Sequence, residues 1–452
     1  MLENLKDKKI LILGFGKEGR DTYFGLRKLF PNKFLGIADQ NKFSIFNFQF
    51  SKLLKNDKNV KLHLGENYLN AVGEYDIIIK TPGISQTALG ALGTKKPSAI
   101  TSQTEIFFEN FPGIIIGVTG TKGKGTTSSL IYEILKKAGL KVFLGGNIGK
   151  PVFQYLLKAK PQDVFVYELS SHQLQNLKKS PQIAVFLNIL QDHLDYYENS
   201  QEYEKAKANI TLHQTKNDYL IFNSLDKKVK QIANKSKAIK IPFSSNTQLT
   251  PFERSLKKCY GLKGDYNFLN LIAALKVAKI FKVEPNAIKT AVKNFKGLPH
   301  RLEYVGKFQG IEFYDNSMAT IPQSTILDLQ TFNGKEISLI VGGSDKGSDY
   351  NDLAKEILKT SVKNLIVLGN GTGQKIIEFC HSGGDSSLVA QNDKCHFFQV
   401  KSMKEAVKIC YEKTPKNGVC LLSPASASFN LFVDYKDRGE QFKKAVKNYR
   451  AS

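Results

Sequence analysis

Short apolar runs recur along this chain with room for a helix between most neighbouring pairs. Residues 9–14 (KILILG) open the series, followed by Phe34–Ala38, Tyr75–Lys80, Ile114–Val118, Val142–Leu144, Val164–Tyr167 and Ile183–Ile189. Further runs lie at Ile311–Tyr314, Ile337–Val341, Leu365–Leu368 and Val419–Leu422. They are continuous rather than alternating, the pattern of strands covered on both faces of a parallel sheet. The segments between them repeat at helical spacing. After Ile114–Val118, for example, come Leu130, Ile131, Ile134 and Leu135, with Lys136 and Lys137 in the last turn and Gly139 as the stop. The pattern predicts an α/β chain of parallel sheets with flanking helices.

Between strand and helix at the fourth run stands Gly117–Thr127, GVTGTKGKGTT. Its glycines let backbone N–H groups converge on an anion, the helix N-terminus adds partial positive charge, and Lys124 can reach terminal phosphates. Gly120, Thr121, Lys122, Gly123, Lys124, Gly125 and Thr126 are the expected phosphate-binding loop. The full consensus places Gly at 118 and a hydroxyl directly after the lysine, where this chain has Val118 and Gly125, with Thr126 one step later.

The first run ends in Gly14-Phe15-Gly16-Lys17-Glu18-Gly19, and Asp39 follows the second. This is the spacing of a turn that holds a phosphorylated, ribose-bearing ligand, without saying which. The third run leads into Thr81-Pro82-Gly83-Ile84, where the carboxyl-end crevice of the same sheet would lie. Val164–Tyr167 delivers Glu168-Leu169-Ser170-Ser171-His172, placing a carboxylate where a Mg²⁺ ligand belongs after a phosphate loop. Ile183–Ile189 ends in Gln191-Asp192-His193-Leu194-Asp195, which reads equally as a metal or phosphate site and as a cap on the next helix. Asn267 and Asn270 lie three apart on a predicted helix.

A chain of 452 residues is too long for one core. With the polar stretch Gly93–Ser98 read as a linker, the expected domains are 1–100, 101–300 and 301–452. The first and third are expected to be Rossmann-like and the second to resemble a phosphate-loop ATPase. Apolar content is 41%, no basic-then-apolar leader opens the chain, and no apolar run approaches the roughly 20 residues needed to cross a bilayer. The five cysteines have no metal-like spacing and suit a reducing cytoplasm. The formal charge of +24 raises nucleic-acid binding. Yet the densest run, Lys227–Lys240, holds six lysines and no interleaved aromatic, so a solvated basic surface is the better reading.

Several motifs occur together and in order: Gly120-Thr121-x-Gly123-Lys124, GNIG at 146–149, ELSSHQL at 168–174, the Asn188–Asp195 NxxxDHxD, GLPHR at 297–301 and LSPASAS at 422–428. In this the chain resembles the Mur ligases of peptidoglycan synthesis, and is most similar to their D-glutamate-adding members.

The resemblance implies an ATP-dependent, cytoplasmic and monomeric enzyme. It would add D-glutamate to UDP-N-acetylmuramoyl-L-alanine through an acyl phosphate, binding neither nucleic acid nor membrane. The UDP-sugar would be held by Gly16, Lys17, Glu18, Asp39, Thr81, Asn147 and Ser170. ATP would be held by the phosphate loop with Asn267, Asn270 and Arg301. Two Mg²⁺ sites are implied, drawing on Glu168, His193, Lys207 and Thr126. Lys207 would be carbamylated and would act with Lys124, Glu168 and His193 in catalysis. Nothing else in this reading separates Lys207 from Lys205. The amino acid would meet Thr320, Lys346, Ser428, Phe429 and Tyr435.

This chain also departs from that family pattern. Gly125 replaces a Mg²⁺-binding hydroxyl, Lys122 an asparagine, and Tyr266 the histidine of an HNxxN segment. Asn316-Ser317-Met318-Ala319-Thr320 stands where DSKAT is usual, which leaves L-glutamate or another amino acid open as acceptor. A dehydrogenase would leave the phosphate loop and Glu168 without work. A nucleic-acid-stimulated ATPase would leave the DHxD and the third domain without work.

Overall fold

In the computed structural model the apolar runs become the strands of three sheets. The structure describes residues 3–41, 54, 56–84, 99–148, 152–190, 196–246, 248–345, 347–369, 371–382, 395–429 and 431–449. The expected linker Gly93–Ser98, Asp192, His193, Asp195 and Lys346 lie outside these residues.

The first sheet has the order β3-β2-β1-β4-β5 and is parallel throughout. Its strands are β1 (Ile10–Leu13), β2 (Leu35–Asp39), β3 (Val60–Leu64), β4 (Ile77–Lys80) and β5 (Ala99–Ser102). The second sheet, also parallel, has the order β11-β10-β9-β6-β8-β7. Here β6 is Ile114–Thr119, β7 Val142–Gly146, β8 Val164–Glu168, β9 Ile183–Phe186, β10 Tyr219–Asn223 and β11 Ile239–Phe243. The third has the order β12-β13-β17-β14-β15-β16, with only β12 antiparallel to its neighbour. Its strands are β12 (Glu303–Phe308), β13 (Ile311–Asp315), β14 (Ile337–Val341), β15 (Val362–Leu368), β16 (His396–Val400) and β17 (Val419–Leu422).

Continuous apolar strands are buried along their length, as double-sided cover requires: β1, β8, β9, β14 and β17 are buried at every position. Sequence patterning placed eleven of these strands and missed their ends by up to three residues, while β3, β5, β10, β11, β12 and β16 were not anticipated. β9 stops at Phe186 rather than Ile189 because residues after it turn to meet the phosphate loop.

Contacts divide the chain into two compact units. One comprises Met1–Thr250 with Leu269–Val292 and carries the first two sheets. The other comprises Pro251–Phe268 with Lys293–Ser452 and carries the third. Among the described residues no helix is long and apolar enough to cross a membrane.

Candidate active site

In the first sheet the strand order reverses between β1 and β4, and the crevice beyond their carboxyl ends is where such sheets take ligands. Gly14 follows β1 with φ +89°, and a Cβ there would stand 2.0 Å from the Thr81 hydroxyl oxygen. Only glycine lets the two loops close this tightly. The Thr81 hydroxyl donates to Leu13 O at 3.1 Å. Asp39, read as a ribose contact, uses one carboxylate oxygen to accept from Phe15 N at 2.6 Å and the other from Asn41 N at 2.8 Å. It therefore shapes the turn as well as facing the crevice.

Glu18 accepts a 2.5 Å hydrogen bond from Gln173, which follows β8. Burial pushes the Glu18 carboxyl up to about 7, against the pull of that bond. Burial likewise lowers Lys80 to about 8, while the nearby Glu18 charge opposes the shift.

The phosphate loop follows β6, between β8 and β9. Gly123 caps the helix Lys124–Lys137 at φ +85°, and a Cβ there would strike Asn270 Oδ1 at 2.3 Å. Asn270 also accepts from the Thr127 hydroxyl at 3.2 Å, so the expected ATP residue packs on the loop itself. Asn188, beyond β9, accepts from Lys122 N at 2.8 Å and donates to Lys122 O at 3.1 Å, fixing the loop by both faces of one peptide-like amide. The Thr121 hydroxyl is engaged with Leu190 and with Tyr203 OH at 2.9 Å. It braces the loop.

Two lysines meet on one carbonyl. Lys124 Nζ and Lys207 Nζ each donate to Gly120 O at 2.9 Å, and Lys124 also reaches Thr121 O at 3.1 Å. Lys207 is 1% exposed, with its ammonium 4.8 Å from the centre of the Tyr203 ring. Lys205, two residues away, is exposed. Structure thus separates the two lysines.

Glu168, at the end of β8, is 1% exposed. One oxygen accepts from Asn147 Nδ2 at 2.9 Å, while Oε2 is buried without a hydrogen-bond donor. A buried, donorless carboxylate oxygen is costly on its own and suits a hard divalent cation. Ser170 caps the following helical turn, exchanging hydrogen bonds with Gln173.

Part of this set lines one cavity of about 800 Å³, Glu168, Thr121, Asn188 and Asn270 lying outside its lining. Gly16, Lys17, Glu18, Asp39 and Thr81 line it from the first sheet, and Lys124, Asn147, Ser170 and Lys207 from the second. His172, Gln173, Tyr203 and Tyr68 also line it and were given no role from sequence.

The second unit holds the remaining candidates. Arg301 sits between two left-handed residues, His300 (φ +61°) and Leu302 (φ +48°), a strained turn of the kind kept at functional sites. His300 Nδ1 lies 2.7 Å from Asp315 Oδ2, and Glu303 accepts from His300 N at 2.9 Å. Asn267 is buried, donating to Lys263 O at 2.8 Å. Ser428 is buried, Phe429 is exposed, and Tyr435 opens the last helix, its carbonyl accepting from the Ser317 hydroxyl at 2.7 Å. Thr320 is half-buried on the loop after β13. Arg438, fully buried, escaped notice in the sequence. It donates to Ser317 O at 2.8 Å, Ser426 O at 3.1 Å and Gly342 O at 3.4 Å, tying together the loops after β13, β17 and β14.

Residues 118–278 match the family model described as the Mur ligase middle domain. A UDP-N-acetylmuramoylalanine--D-glutamate ligase of Acetivibrio thermocellus is 33% identical over 468 residues, covering 99% of this chain and 98% of the relative. One from Clostridium tetani is 34% identical over 458 residues, covering 98% and 97%. Among solved structures, MurF ligase from Thermotoga maritima in complex with ADP has a TM-score of 0.59 at 16% identity, covering 99% of this chain and 97% of that one. UDP-N-acetylmuramate-alanine ligase MurC from Thermotoga maritima has a TM-score of 0.58 at 17% identity, covering 98% and 100%. The solved structures share the fold.

Proposed function

This chain belongs to the Mur ligase family, and from that premise we propose that it is a cytoplasmic ligase joining D-glutamate to UDP-N-acetylmuramoyl-L-alanine at the expense of ATP. The observation that carries this reading is the shared cavity, which opens on both the Gly14–Thr81 crevice and the phosphate loop. A nucleotide-sugar seated at the first can extend its carboxylate toward the second. In this proposal residues 1–100 hold the UDP-sugar, 101–300 the ATP and 301–452 the amino acid.

A carboxylate is a poor electrophile. One carboxylate oxygen attacks the γ-phosphorus of ATP, ADP leaves, and an acyl phosphate results. The amine of glutamate then attacks the acyl carbon, phosphate departs with its bonding pair, and the amine loses a proton. Bringing two anions together requires positive charge, which Lys124 and the loop N–H groups supply. Glu168, through its donorless oxygen, would hold a Mg²⁺ together with Thr126 of the phosphate loop. A second Mg²⁺ would draw on His193 and a carbamylated Lys207. Bound Mg²⁺ supplies charge neutralisation of the phosphates. Asn267, Asn270 and Arg301 complete the proposed ATP set, and Thr320, Lys346, Ser428, Phe429 and Tyr435 the amino-acid set.

Two ammonium groups on one carbonyl oxygen repel. A carbamate at Lys207 keeps one N–H for Gly120 O while turning the neighbour of Lys124 into an anion, which supports the modification.

The test is ADP release with UDP-N-acetylmuramoyl-L-alanine and each glutamate enantiomer in parallel. Turnover dependent on D-glutamate is expected. Turnover with L-glutamate alone would overturn the choice of acceptor, for which Met318 in place of a lysine is the motive.

A further inference from the structure

The helix Ser200–Leu212 walls two cavities. Its buried stripe presents Tyr203 and Lys207 to the cavity of about 800 Å³. Gln201, Glu204, Lys205, Ala208 and Leu212 form one wall of a second cavity, of about 320 Å³, whose opposite wall is the helix Lys227–Lys235. Among the described residues the two cavities have no lining residue in common.

The second cavity is a groove between helices with a fixed end. Thr211, near the carboxyl end of the first helix, is buried and donates to Gln214 Oε1 at 2.7 Å. Its oxygen lies 2.6 Å from the hydroxyl oxygen of Ser236, which follows the second helix and accepts from Ala238 N at 3.2 Å. These bonds tie both helix ends to the chain that follows, so the groove is built before a ligand arrives. Its sides are apolar at Ala208, Ile232 and Leu212. Leu212 is 64% exposed, leaving apolar surface for a ligand to take from water.

Charge around the groove is unbalanced. Lys205, Lys228 and Lys235 face a single acid, Glu204, which pairs with Lys228 at 2.6 Å, so its lining carries a surplus of two positive charges. Both helices end at the Thr211–Ser236 floor, and helix carboxyl ends disfavour anions. Lys235, in the last turn, offsets that dipole. A negative head therefore belongs at the other end, beside Lys205 and Lys228.

We propose that this groove is a second binding site, for an organic monoanion with an apolar body. The carboxylate or sulfonate sits beside Lys205 and Lys228, and the hydrocarbon lies along Ala208, Ile232 and Leu212. Apolar walls with a few placed polar groups, at the lower end of the usual range of about 300–1,000 Å³, are the make-up of a small-ligand site.

The probe is 8-anilinonaphthalene-1-sulfonate, which reports apolar surface by its fluorescence, titrated against the full native chain. N-phenyl-1-naphthylamine is its uncharged counterpart. One saturable site is expected, tighter for the sulfonate than for the amine by about tenfold, the scale of one charge-assisted contact. Lys205→Glu and Leu212→Asp alter exposed side chains, so the thermal midpoint should hold, and each should weaken the sulfonate by about tenfold or more. Saturating UDP should not displace it. Equal binding of the two probes overturns the anionic class. No saturable site, displacement by UDP, or unchanged binding in either variant overturns the site. A dimer in sedimentation that Leu212→Asp dissolves also overturns it, because a second copy of the chain then closes the groove.

Discussion

Replacing Lys207 with alanine tests the chemistry most directly. Lys124 and Lys207 each lie 2.9 Å from Gly120 O, so their ammonium nitrogens are at most about 6 Å apart. At an effective dielectric near 20, two like charges at that distance repel by about 3 kcal/mol, and a carbamate reverses the sign. The proposed carbamate would therefore replace a repulsive pair by an attractive one, at the cost of desolvating the anion. Lys207→Ala removes the pair, and turnover should fall by at least about 100-fold, the usual scale for losing one electrostatic partner of the reacting groups. The fold should tolerate the change: a charge-assisted bond worth about 1.5–3 kcal/mol is lost, but so is the burden of a buried charge. ADP release is the assay, run with and without bicarbonate or a short-chain carboxylate, either of which should partly restore activity. Lys205→Ala, altering an exposed side chain, should leave turnover within about twofold. An active Lys207→Ala enzyme insensitive to bicarbonate would refute the argument.

Lys124→Ala should lower turnover by about 1000-fold or more while calorimetric UDP-sugar affinity stays within about threefold, because the crevice proposed for uridine lies on the other sheet. UDP-sugar affinity should rise as pH falls from 8 to 6. Glu18, raised to about 7, loses its negative charge across that window, and Lys80, lowered to about 8, gains its positive one. The same protonation of Glu18 favours the folded state, whose carboxyl takes up a proton above the unfolded value of 4.5, so stability from this group increases as pH falls through 7. Glu18→Gln should flatten the acid side of the affinity profile in calorimetry. Gly14→Ala, with its Cβ forced to 2.0 Å from the Thr81 oxygen at φ +89°, should weaken UDP-sugar binding about tenfold and lower the thermal midpoint.

The central strands were legible because strands covered on both faces announce themselves as unbroken apolar runs, whereas partly exposed strands such as β3, β5, β11, β12 and β16 were not. The geometry of the glycine-rich loop was legible because it is local: strand, glycines, lysine and helix are contiguous. Side-chain pairing across the sheet was not. Asn188 belongs to a recognised motif, yet its grip on both faces of the Lys122 peptide depends on β9 lying beside β6, a fact of topology. Gln173 reaching Glu18 is likewise a contact between sheets.

Lys207 was more legible than motif reading made it. In the helix Ser200–Leu212 the buried residues are Tyr203, Ala206, Lys207, Ile210 and Thr211, one stripe at helical spacing. Lys207 lies on that stripe and Lys205 off it, so amphipathic periodicity alone separates the two. The same reading works at Asp328, which shares the buried stripe of Pro322–Thr331 with Thr325 and Leu329. It works again at Arg438, on a stripe with Phe442 and Val446. A charge on the apolar face of a helix is expensive unless neighbours satisfy it. Each of these three has found its partners: a carbonyl for Lys207, neutral donors for Asp328, three loop carbonyls for Arg438. Motifs find the chemistry at strand ends, where loops converge. Misplaced charges in helical stripes find the groups that hold those loops, and Asp328, which no motif marks, is reached only by the second route.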